Sequence, residues 1–72
     1  RGNGGKRMIR INGAETAGYA GRSLLELLEE RGYPLGRIAV ELNGRILPKA
    51  EYGNTRLRDG DALEIVSFVG GG

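Results

Sequence analysis

Gly70-Gly71-Gly72 closes the given sequence, directly behind the apolar stretch Val66-Ser67-Phe68-Val69. Glycine lacks a Cβ, so a run of it threads channels that exclude other residues. If Gly72 carries a free carboxylate, that group is the candidate reactive centre. A carboxylate is inert to acyl transfer until one oxygen becomes a leaving group, so the chemistry expected here is activation by a partner enzyme. Gly70 and Gly71 are then the segment that enters the partner's active site. Ordering them costs roughly 1–2 kcal/mol per residue, so affinity must come from contacts on the body. Val66, Phe68 and Val69 are the candidate apolar anchors, bordered by Leu47 and Pro48.

Composition narrows the alternatives. Seventy-two residues allow one domain with a small core. The chain has no cysteine and no histidine. It therefore lacks a thiolate nucleophile, a disulfide, the commonest general base and the commonest metal ligand. A self-sufficient enzyme is disfavoured, a cysteine-ligated iron–sulfur protein is excluded, and a reducing, cytoplasmic setting suits the chain. Net charge is +2, but Arg1, Lys6 and Arg7 lie in the glycine-rich opening. Without those three the remainder is slightly negative, and no basic stripe with interleaved aromatics points to nucleic acid. No apolar run approaches the length of a membrane span or resembles a signal-peptide core.

The elements that must position the tail follow from periodicity and turn chemistry. Residues 1–7 are expected to be a disordered arm, either a cloning remnant or a native extension. Residues 8–69 form the domain and 70–72 the flexible tail. Met8 to Asn12 alternates as a strand, Asn12-Gly13 is a tight-turn pair, and Glu15 to Tyr19 returns as a second strand. Ser23 opens a helix with a reciprocal capping box to Glu26. Leu24, Leu27 and Leu28 form its apolar face, and Gly32 with Pro34 ends it. Ile38 to Leu42 and Arg45 to Leu47 form a second hairpin about Asn43-Gly44. Lys49 to Thr55 is a loop or a single helical turn. Ala62 to Val69 is the final strand, with Leu63 and Ile65 on one face and Val66 and Phe68 on the other. Hairpin, helix, hairpin, turn and strand in that order spell an α+β fold of the β-grasp, or ubiquitin-like, kind. It has a mixed sheet with one main helix on one face and the last strand in the sheet interior.

Other charged groups have plainer readings. Glu26, Glu29 and Glu30 form a solvated helix face rather than a metal site. Arg56 and Arg58 stand on a loop, where solvation and contact with an acidic partner weigh evenly. Gly2 to Gly5 is no phosphate loop, because no strand precedes it.

Four segments in order resemble the ThiS family of ubiquitin-like sulfur carriers in thiamine biosynthesis. They are Met8-Ile9-Arg10-Ile11-Asn12-Gly13, Ser23-Leu24-Leu25-Glu26-Leu27-Leu28, Asn43-Gly44-Arg45-Ile46-Leu47-Pro48-Lys49-Ala50-Glu51-Tyr52, and Asp59-Gly60-Asp61 through Gly72. Lys49 stands where the family often has arginine, and Tyr52 where it often has tryptophan. The resemblance implies a protein co-substrate, not a catalyst. An E1-like adenylyltransferase of the ThiF type, using ATP and Mg, would adenylate the Gly72 carboxylate. A persulfide donor would convert it to a thiocarboxylate, and thiazole synthase of the ThiG type would take the sulfur. The carrier would bind no stable cofactor or metal and would be monomeric when free. Three rivals stay open: a molybdopterin synthase small subunit, a conjugating ubiquitin-like modifier, and a binding module that works through its sheet and not its tail.

Overall fold

The computed structural model describes residues 7–69. The expectations for residues 1–6 and for Gly70, Gly71 and Gly72 lie outside the described residues.

Five strands build one mixed sheet: β1 (Met8–Ile11), β2 (Ala14–Ala17), β3 (Ile38–Leu42), β4 (Arg45–Leu47) and β5 (Ala62–Ser67). Their spatial order is β2-β1-β5-β3-β4. The central pair β1–β5 is parallel, with Arg10 opposite Ala62 and Ile11 opposite Leu63. The other three pairings are antiparallel. Both hairpins turn on Asn-Gly, where Asn12 (φ 51°) and Gly13 (φ 86°) match Asn43 (φ 52°) and Gly44 (φ 87°). Successive positive φ values are what a two-residue turn needs to follow the right-handed strand twist.

Helix α1 (Leu24–Glu30) lies on one face of the sheet. The Ser23 Oγ accepts from the Glu26 amide at 3.1 Å. The expected return half of the capping box is replaced. The Glu26 carboxylate instead accepts from Arg22 Nε at 3.2 Å, and Arg22 also pairs with Glu30 at 3.1 Å. A guanidinium held between two carboxylates competes better for Glu26 than a single backbone amide does. These contacts hold the Arg22 guanidinium above its ordinary pKa, the hydrogen bond to Glu26 first among the causes. The helix ends in a paired closure: Gly32 N–H donates to Glu29 O and Tyr33 N–H to Leu28 O, with Gly32 left-handed at φ 77°.

The core joins Leu24, Leu27 and Leu28 of α1 to Ile9, Ile11, Ile38, Val40, Leu63 and Ile65 of the sheet. Fully burying one such side chain is worth about 1.5–3 kcal/mol. One departure from the sequence expectation concerns an aromatic. The second strand stops at Ala17, and Tyr19 turns into the core. Its ring there carries Arg22 and Arg31 at 5.2 and 5.8 Å. Tyr52 is also buried, within two turns of 3-10 helix at Lys49–Asn54. Burial raises the Tyr52 hydroxyl above its ordinary pKa. Among the described residues no helix is long and apolar enough to cross a membrane. No group of three or more acidic, histidine or cysteine side chains there could hold a metal ion.

Candidate functional site

β5 delivers the tail, and its neighbours determine how it leaves the sheet. On the β1 side, strand pairing ends at Leu63 because β1 turns away at Asn12. The Asn12 side chain then takes the place of a strand. Its Oδ1 accepts from Ile65 N–H at 2.7 Å and its Nδ2 donates to Ile65 O at 3.1 Å. On the β3 side, pairing runs on to Ile38 opposite Ser67, and Phe68 N–H donates to Arg37 O at 2.9 Å. Asn43 braces the start of the same strand. Its N–H donates to Ala62 O and its Oδ1 accepts from Ala62 N–H, 2.8 and 2.9 Å. The strand is thus held at its start by Asn43, at Ile65 by Asn12 and at its end by the β3 side, and it outruns the β1–β2 hairpin before the chain reaches Val69.

The sheet face opposite the helix is open, and apolar groups gather on it near that exit. Val66 is 60% exposed, Phe68 48% and Val69 92%. Ala39 is exposed directly opposite Val66. One row back, Glu41 and Glu64 face each other across β3 and β5. Like charges placed so are unfavourable to the isolated sheet. Pro48 is exposed at the end of β4.

Leu47 is the exception among the expected anchors. It lies opposite Val40, on the helix side, and packs against the core. The residue that β4 presents to the open face is Ile46, opposite Glu41 and 71% exposed. The physical reason is parity. A two-residue turn at Asn43-Gly44 pairs Leu42 with Arg45, so Leu47 follows Val40 inward and Ile46 points out. Counting register from that turn would have found Ile46 in the sequence. Gly70, Gly71 and Gly72 lie outside the described residues; the open face carries Val66 and Phe68 with Ile46 and Ala39, and Val69 follows, exposed, just past the strand.

A mixed sheet of this order, holding one helix against one face and leaving the other open, defines a β-grasp domain of the ubiquitin-like class. The ThiS family model matches residues 9–72, and the chain belongs to the ThiS family. It is 40% identical over 65 residues to the sulfur carrier protein ThiS of Thermus thermophilus, covering 90% of this chain and all of that one. It is also 45% identical over 62 residues to a thiazole synthase of Paramagnetospirillum magneticum, covering 86% of this chain. The chain spans about a fifth of the length of the curated thiazole synthases it matches. Among solved structures, the thiamine biosynthesis protein ThiS of Geobacter metallireducens superposes with a TM-score of 0.76 at 32% identity, covering 90% of this chain and 99% of that one.

Proposed function

We propose that this chain is a sulfur carrier for formation of the thiamine thiazole, working through its C-terminal glycines. The observation that carries the reading is the fixed β5 with its exposed Val66, Phe68 and Val69, leading directly into Gly70-Gly71-Gly72 in a chain of the ThiS family. Docking of a partner on the open face places the glycine segment at the partner's catalytic groups. The Gly72 carboxylate attacks the α-phosphorus of ATP on an E1-like adenylyltransferase, giving an acyl adenylate and pyrophosphate. The terminal sulfur of a persulfide displaces AMP, and thiol cleavage of the resulting S–S bond leaves a thiocarboxylate. A thiazole synthase accepts that sulfur, and the carboxylate is regenerated. The matches to proteins named thiazole synthase support that acceptor. The carrier's own part is to bind, orient and present. The sulfur rides on the terminal carbonyl, which a chain without cysteine can do.

The test is mass spectrometry of the C-terminal peptide after incubation with a ThiF-type enzyme, Mg-ATP and a persulfide donor. Exchange of one oxygen for sulfur on Gly72, absent when Gly72 is deleted from a still-folded chain, is the expected result. The fragment must be the C-terminal one, since oxidation of Met8 adds a nearly equal mass elsewhere. A plain carboxylate with a competent enzyme present, or a native fragment that continues past Gly72, would overturn the reading.

A further inference from the structure

A second surface lies on the helix side of the sheet, at the β4 edge, and the open-face reading does not use it. It is a groove of about 490 Å³ between β4 and the segment Arg56 to Asp61. Leu42 and Leu47 contribute apolar surface to its lining and are only half-buried, although they pack on the core. Arg45, Arg56 and Arg58 also line it, and all three are exposed. Register explains Arg45. It is paired with Leu42, so it shares the helix-side face with that leucine.

The opposite wall is held by backbone bonds. Leu24 N–H donates to Thr55 O and Leu57 N–H to Arg22 O, at 2.8 and 2.9 Å. Both oxygens of the one carboxylate in the groove are already engaged. Asp61 Oδ2 accepts from Arg58 N–H at 2.8 Å and its Oδ1 from Asn43 Nδ2 at 3.0 Å. Arg56 gives one N–H to Gly21 O at 2.7 Å. Among the described residues the only ion pairs are those of Arg22. Three guanidinium groups, each with a planar fork suited to carboxylates, therefore border half-exposed leucines without an anionic partner.

We propose that this groove docks an acidic peptide segment of a partner protein, one that lays an apolar side chain on Leu42 and Leu47 between carboxylates held by Arg45, Arg56 and Arg58. Charge complementarity selects that occupant. The apolar lining selects a peptide over a bare anion, which would leave the leucines in water. Because Ile46 and Val66 face the other side of the sheet, the groove stays accessible while the open face is covered.

The experiment is a backbone-amide NMR titration of the full chain with a synthetic peptide of alternating Glu and Leu. A Gln-for-Glu peptide and sodium phosphate serve as comparison probes. The expected result is saturable shifts confined to residues 42–47 and 56–61, weakened about tenfold by added salt. Arg45→Glu and Arg58→Glu, each with retained amide dispersion, should weaken binding by about tenfold or more, while Val66→Asp leaves it unchanged. Equal binding of the Gln peptide, equal shifts from phosphate alone, shifts centred on Val66 and Phe68, or no saturable binding would each overturn the proposal.

Discussion

Ile65 and Val66 are neighbours in β5, yet one is 7% exposed and the other 60%. The helix-covered face is continuous from Ile9 to Val40, and its side chains are chosen for fit. The open face carries Ala39, Ile46, Val66 and Phe68 beside the opposed carboxylates of Glu41 and Glu64. Such an arrangement gains nothing for the isolated domain, since exposed apolar groups stay in water and like charges repel. One side of the sheet therefore holds the fold, and the other is the side that the proposed function assigns to contact. Substitutions on the two sides should fail in different assays.

The largest expected effect belongs to the covered face. Leu63→Ala empties a fully buried position in the central strand and should cost about 2–5 kcal/mol in urea denaturation. Val66→Ala, three positions along the same strand, should stay within about 0.5 kcal/mol. Equal losses would erase the distinction between faces. Next is Asn12→Gly, which keeps the positive φ but removes both side-chain bonds to Ile65. A loss of about 1–3 kcal/mol is expected, with faster amide exchange at Ile65. Phe68→Ala leaves the backbone bond to Arg37 in place and should cost under about 1 kcal/mol in stability. Under the proposed function, its binding to an E1-like adenylyltransferase should nevertheless weaken by about tenfold. A large fall in melting temperature would instead place Phe68 with the core.

The smallest effect is at high pH. Burial raises the Tyr52 pKa above its ordinary 10.0, so the unfolded chain ionises first. The stability gained from that difference is complete below pH 10 and is lost as pH climbs through the raised value. Tyr52→Phe should flatten the decline of stability above pH 10 and leave the plateau below it unchanged.

Local chemistry made much of this legible in the sequence. Two Asn-Gly pairs marked both hairpins, Ser23 and Gly32 marked the ends of α1, and the alternation from Leu63 to Phe68 assigned the two faces of β5. Misreadings arose where a competing partner won over the expected one. Glu26 turned to Arg22, and Tyr19 left the strand for the core. Leu47 followed Val40 inward because register, not hydrophobicity, decides which face an edge residue joins. The arginine groove was illegible for a different reason. Arg45 and Arg58 are distant in sequence and line one groove because the β3–β5 pairing and the bonds from Asn43 to Asp61 and Ala62 bring their segments together. The tail chemistry was suggested by the glycines themselves and by family resemblance.

The parallel pairing of β1 with β5 also bears on how the protein is made. Ile11 meets Leu63 in the middle of the sheet, so the first strand to leave the ribosome must wait for the fifth. Until Leu63 and Ile65 emerge, the leucines of α1 and the isoleucines of β1 have no central strand to close on. Contacts of such long sequence separation form late. Throughout elongation the nascent chain carries this apolar surface uncovered, a natural substrate for holding chaperones, and it completes its core only once translation has passed β5.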